Sequence, residues 1–343
     1  MKKLLLGSAI IVGALTSISL TSCGSNEIII YTAAEDERIE YLDKEIKAKF
    51  PQTPVVFQAL GTGEMATRLQ SEDIYTKCDI FYDLEITNAE IILNKNKDMF
   101  YDLSEYNFDI YEDSVKTYMS KKKYALNSKV YNGFLVNKEV LTAKGASIPT
   151  SYNDLLKSEY RGTQDNSGII VMPNPKSSGT GYCLYNGIYS KFINSNLGET
   201  AGLKYFDDLN LNIKEFTTSG SAPVKSVDRG DAGIAAGMLW QCCTYANKNP
   251  KLQVVTFEEG MPFNLFTMGI VNTHETKAGV KEVFEYLFND LNKAQNEYFN
   301  PDKIYKTQGA AKIEGYPTTI NELQCNGVSD YQYKQNLLDK WKF

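Results

Sequence analysis

From residue 27 onward the chain alternates short β-branched runs with amphipathic stretches. "EIIIYTA" (27–33) predicts a strand. In "EDERIEYLDKEIKAKF" (35–50), apolar side chains return at 39, 42, 46 and 50, which is one helical face, and Pro51 stops it. "TPVVFQAL" then predicts a strand, "GEMATRLQSE" a helix, "CDIFYDL" a strand and "TNAEIILNK" a helix. This β-α-β-α-β-α series argues for an α/β layer on a largely parallel sheet.

A second series follows a middle section. "YNGFLVNKEVL" reads as a strand running into a helix start, and "SYNDLLKSEYRG" as a short helix. "SGIIVMPNP", "LNIKEFT", "AGIAAGM" and "FTMGIVNT" predict strands. "GLKYFDDLN", "SAPVKSVDRGD" and "AGVKEVFEYLFNDL" predict helices. The pattern predicts two α/β lobes with chain passing between them, divided as 24–128 with 268–300 and 129–267 with 301–343. Ligands of such sheets bind at the loops beyond the carboxyl ends of the strands.

The first residues read as an address. Lys2 and Lys3 precede the apolar run "LLLGSAIIVGALTSISL", and "LTSC" follows at 20–23. Residues 1–22 are expected to be a signal peptide. The four-residue motif resembles a lipobox, which makes Cys23 the expected lipid anchor at the cell envelope. The 343 residues carry a net charge of -6, and loss of Lys2 and Lys3 takes it to about -8. An acidic chain of this kind is not built for nucleic acid, because phosphate backbones reward a basic face. The other five cysteines show neither a disulfide framework nor a CxxC metal pair, and adjacent Cys242 and Cys243 read as small buried residues.

Four strand-to-helix junctions are rich in Gly, Ser or Thr: "YTAAED", "LGTGEM", "PKSSGTGY" and "TTSGSAP". Glycine lets backbone N–H groups approach a ligand, and a helix start offers unpaired donors and a positive dipole end. Together they form an anion site without lysine. Thr32, Thr62, Gly63, Ser177, Ser178, Gly179, Thr180, Ser219 and Ser221 are its expected members. Taken singly, each loop could be an ordinary helix cap built from the same residue types.

"LGTGEMATRLQSE", "DIFYDLE", "NPKSSGTGY" and "VDRGDAGIAAG", in that order, resemble solute-binding proteins of ABC importers. The similar branch is that of ferric-iron-binding proteins, which also holds binders of sugar phosphates and phosphonates. The resemblance covers nearly the whole chain after Cys23. It implies a periplasmic-binding-protein type 2 fold, two α/β lobes joined by crossing strands around a ligand cleft. It also implies a monomer facing the periplasm or cell exterior that hands its ligand to an inner-membrane ABC permease. In iron-binding members a loop matching Ser178, Gly179 and Thr180 holds a phosphate or carbonate that shares Fe3+. Their adjacent tyrosine ligands are replaced here by Trp240 and Gln241 in "LWQCCTY", and the first-loop histidine of some members is absent. Tyr245, Tyr182 and Glu35 are the expected metal ligands by another arrangement, with Tyr31, Tyr82 and Glu85 as further oxygen donors. The implied ligand is ferric iron with an anion; the alternative is a metal-free phosphorylated small molecule.

Rival classes are weaker. GxSxG, HExxH and P-loop motifs are absent, and His274, the one histidine, sits in a polar turn. A secreted hydrolase is thus disfavoured and no catalytic cofactor is expected. A structural surface lipoprotein would show repeats or a polar stalk, and neither is present.

Overall fold

The computed structural model describes residues 26–162, 167–274 and 276–343. Residues 1–22, the expected signal peptide, and Cys23 lie outside the described residues. The predicted first series forms as β1 (Ile28–Thr32), α1 (Asp36–Lys49), β2 (Val55–Ala59), α2 (Thr62–Glu72), β3 (Ile80–Glu85) and α3 (Ile86–Lys95). β1 runs parallel to β2 and β3, and every residue of β3 is buried because the sheet flanks it on both edges and helices cover its faces. The short α4 (Asp113–Lys116) then leads to the long strand β4 (Ala125–Asn137) and α5 (Lys138–Lys144).

The second series is β5 (Ile170–Pro173), α6 (Gly179–Asn194), α7 (Gly198–Asn210), β6 (Ile213–Thr217), α8 (Ala222–Asp228), β7 (Ile234–Met238), α9 (Leu239–Lys248) and β8 (Leu252–Val255). β9 (Phe263–Ile270), α10 (Val280–Tyr286), α11 (Asn292–Asn296) and α12 (Tyr331–Leu338) complete the chain. "SYNDLLKSEYRG" forms two separate 3-10 turns, Asn153–Leu156 and Ser158–Tyr160, not the short helix its composition suggests. Tertiary anchors override the local pattern there: Tyr152 donates to the Gly260 carbonyl at 2.9 Å and Tyr160 to that of Ser147 at 2.8 Å.

β4 joins the two halves. Its first part, Ala125–Tyr131, pairs antiparallel with β9, while Asn132–Val136 pairs with β7 and Phe134–Asn137 with β8. β9 returns between β4 and β3. The architecture is therefore the two-lobed α/β fold with crossing strands. The parallel strands β1, β2 and β3 of one half, and β5, β6 and β7 of the other, direct their carboxyl ends toward the space in between.

Residues after α11 touch both halves. Tyr305 bridges Tyr111, whereas Trp341 packs edge-on against Tyr185, Phe206 and Phe216. Cys78, Cys183, Cys242 and Cys243 are buried free thiols, and burial pushes each of them up.

Candidate functional site

All six parallel strand ends contribute to one cavity of about 390 Å³. β1 leads to Ala33–Arg38, β2 to Gly61 and Thr62, β5 to Ser177–Thr180 and β6 to Thr218–Ser221. β3 supplies Asp83, and β7 supplies Met238 with Gln241. The crossing strands close the back with Val130 and Phe266.

The "SSGTG" loop is both a cap and a wall. Ser178 is the N-cap of α6, and its Oγ accepts the Gly181 N–H at 3.3 Å. Each crossing strand holds one first-turn carbonyl of α6: Asn264 Nδ2 donates to Gly179 at 3.3 Å and Asn132 Nδ2 to Thr180 at 3.5 Å. Gly179 and Thr180 open the helix, where N–H groups have no intrahelical acceptor, and both line the cavity. Gly220 explains how the neighbouring loop comes so near. A Cβ there would lie 2.6 Å from Thr180 Oγ1 and 3.0 Å from Ser178 Oγ. Ser177 Oγ donates to the Thr218 carbonyl at 3.2 Å, tying the two loops together.

Thr62 faces α6 from the other half. A Cβ on Gly179 would sit 3.5 Å from its methyl group. Thr62 Oγ1 accepts the Glu85 N–H at 2.9 Å and the Asn88 amide at 3.1 Å. A hydroxyl oxygen has two lone pairs and one hydrogen. Both acceptor positions are taken, so the hydrogen is what Thr62 offers to the cavity.

The floor is ionic. Arg38 is buried and donates to Asp83 through Nη1 and Nη2, both at 3.0 Å, to Glu35 at 3.2 Å and to Gln295 at 3.3 Å. Burial alone would lower the Arg38 pKa, but the Asp83 and Glu35 carboxylates outweigh it and raise it. Asp83 reaches this position from a left-handed backbone, φ 65°, at the irregularity between Tyr82 and Leu84 in β3. Burial raises the Glu35 pKa, with Arg38 opposing and Asp83 assisting.

Of the expected anion-site residues, Thr62, Ser177, Ser178, Gly179, Thr180, Ser219 and Ser221 line the cavity, and so does Glu35. Thr32 and Gly63 do not. Thr32 Oγ1 accepts the Ala34 N–H at 3.1 Å, and the Gly63 carbonyl accepts the Thr67 hydroxyl at 2.9 Å. The tyrosines stand elsewhere too. Tyr245 packs partly buried against the Val224 and Cys242 cluster, and Tyr182 is buried beneath the Lys334 ammonium. Tyr31 bonds Glu72 and Tyr82 bonds Asn292. Burial raises the pKa of all four, Tyr31 to about 12, which disfavours a phenolate. Arg38, Asp83, Lys225, Gln241 and the apolar Val130, Met238 and Phe266 were not expected. Arg38 had a signal: at 38, 42 and 46 it shares the buried face of α1 with Leu42 and Ile46.

The class this fold defines, a two-lobed solute-binding protein, agrees with the comparisons. Residues 77–297 match the model of the bacterial extracellular solute-binding proteins, and the chain belongs to that family. A Haemophilus influenzae protein described as uncharacterized is 22% identical over 274 residues, 77% of this chain and 73% of that protein. The periplasmic binding protein AfuA of Actinobacillus pleuropneumoniae, solved with fructose-6-phosphate, is similar at TM-score 0.76 and 20% identity, covering 92% of this chain and 98% of that one. The apo ferric ion-binding protein A of Pasteurella haemolytica is similar at TM-score 0.67 and 13% identity, covering 92% and 96%. No helix among the described residues is long and apolar enough to cross a membrane.

Proposed function

We propose that this chain is the capture component of an ABC importer and that its ligand is a metal-free phosphorylated small molecule. The observation that carries this is the donor character of the cavity. Thr62 offers only its hydrogen, the α6 first turn offers backbone N–H groups, and Ser178, Thr180, Ser219 and Ser221 add hydroxyls. Such a surface matches a dianionic phosphate. The organic part of the ligand would lie along Val130, Met238 and Phe266, with Gln241 and Glu35 meeting its polar groups. The side-chain oxygen of Gln241 is buried with no partner among the described residues, an acceptor left for a ligand hydroxyl.

The chain acts by binding and release, not turnover. It works as a monomer, tethered through Cys23 on the outer side of the membrane, and delivers its ligand to a permease. That AfuA was solved with fructose-6-phosphate supports the reading. The partly buried Glu35 carboxylate favours a second one, ferric iron sharing the cradle with phosphate or carbonate, since ferric iron takes hard oxygen ligands. Two titrations separate them. Thermal stabilisation by fructose-6-phosphate, with no visible band on adding ferric citrate, is the expected result. A coloured protein that ignores the sugar phosphate overturns the reading.

A further inference from the structure

Behind the oxyanion cradle lies a carboxylate that works against it. Glu85 is fully buried at the end of β3, and a Cβ on Gly179 would sit 3.8 Å from its Cγ. Its backbone N–H is one of the two donors that fix Thr62. An uncompensated negative charge one layer behind Gly179 and Thr62 would repel an anion in the cavity and would draw the Thr62 hydroxyl hydrogen inward.

The compensating charge comes from far along the chain. Lys334 on α12 places Nζ 2.5 Å from Glu85 Oε2, with 7% and 0% of the two side chains exposed. The same ammonium reaches Asn88 Oδ1 at 3.5 Å, and Asn88 is the other donor to Thr62. It lies 4.6 Å from the centre of the Tyr182 ring, on the second turn of α6. The helix that carries it is fastened to the other half: Tyr185 donates to the Leu337 carbonyl at 3.2 Å, and Lys340 pairs with Glu199 at 2.7 Å. The titratable groups facing Glu85 are Lys334 from α12, Tyr182 and Cys183 from α6 and Tyr124 before β4. Lys334 is the only cation among them.

We infer that Lys334 is a positioning residue for the anion site. It cancels Glu85 behind the cradle and, through Glu85 and Asn88, keeps the hydroxyl hydrogen of Thr62 on the cavity side. The inference rests on the phosphorylated-ligand reading above. It adds a dependence on a residue that touches no ligand, on a helix that neither α/β series contains.

The test is titration calorimetry with fructose-6-phosphate at pH 8. It uses the wild type, Lys334→Met, Lys334→Arg, Glu85→Gln and the Lys334→Met/Glu85→Gln double variant. At pH 8 Lys334→Met is expected to bind on the order of tenfold more weakly than the wild type, the scale of one charge acting through partly buried protein. Lys334→Arg keeps the charge and should stay near wild type, and the double variant should recover most of the affinity. A loss that Lys334→Arg shares and that Glu85→Gln does not rescue would mean that Lys334 only packs α12, and overturns the inference. A wild type that binds no sugar phosphate overturns the functional reading, and the cradle argument with it.

Discussion

Arg38 grips Asp83 with two parallel hydrogen bonds of 3.0 Å, Nη1 to Oδ2 and Nη2 to Oδ1, inside the floor of the cavity. The pair joins the start of α1 to the irregular turn in β3, and Asn127 of β4 adds a third contact to Asp83 at 2.8 Å. Removing one partner leaves the other charged and buried. Asp83→Ala should lower stability in urea by about 3–5 kcal/mol. A loss under about 1 kcal/mol, the value of an exposed pair, would show that water reaches the guanidinium.

Asp302 gives a pH dependence. Burial pushes its carboxyl up to about 6, against donors from Tyr316 at 2.8 Å and the Tyr131 backbone at 3.3 Å. The folded protein then holds a proton that the unfolded chain has released, so stability falls as pH rises from about 4 to about 6. Asp302→Asn should flatten that limb of the stability curve. An unchanged slope in denaturant titrations at pH 4, 5, 6 and 7 would assign the effect to other groups.

The two hydroxyls of the α6 loop should matter for ligand more than for folding. Hydrogen bonds to a charged group contribute about 1.5–3 kcal/mol each. Ser178→Ala with Thr180→Val should therefore weaken fructose-6-phosphate binding by about a hundredfold or more. Loss of the cap should cost about 1 kcal/mol of stability. Native affinity in calorimetry would leave Ser178 as a helix cap alone.

Gly220 is the sharper probe of how tightly the loops meet. A methyl group 2.6 Å from Thr180 Oγ1 and 3.0 Å from Ser178 Oγ must displace either those hydroxyls or the 218–221 loop. Gly220→Ala should weaken sugar-phosphate binding while Gly63→Ala, which has open space around it, leaves it unchanged. Equal effects from the two variants would contradict the closeness of the loops.

Tyr245→Phe and Tyr182→Phe test the absence of a phenolate ligand. Neither ring lines the cavity, so both variants should bind fructose-6-phosphate within about twofold of wild type, and neither should alter the visible spectrum with ferric citrate. A band lost with Tyr245 would restore the iron reading.

The strands and the four small-residue loops were legible because their signals are local. β-branched runs, helix starts and glycines declare themselves within ten residues. What was hidden depends on long-range pairing. β4 begins at Ala125, six residues before the predicted strand, because "ALNSKV" mixes polar and apolar residues and is held in place by β9. Arg38 lies outside the apolar positions 39, 42, 46 and 50, and its partners Asp83 and Gln295 lie far along the chain. Tyr245, expected as a metal ligand, instead turns its ring into the Val224 and Cys242 cluster. Lys334 left no trace, since a lysine in "YQYKQNLLDK" looks solvated until Glu85 is seen opposite it.

The pairing of β3 with β9 sets Ile80 against Ile270, and that of β4 with β9 sets Tyr131 against Phe263. Neither half of the sheet is complete until β9 has arrived. Contacts between residues so distant along the chain form slowly, since the loop between them must close first. During synthesis, β1 to β3 and their helices would therefore wait, incompletely covered, for residues made much later. For an exported polypeptide that delay is an advantage: a chain that cannot finish folding early stays threadable through a narrow translocation channel.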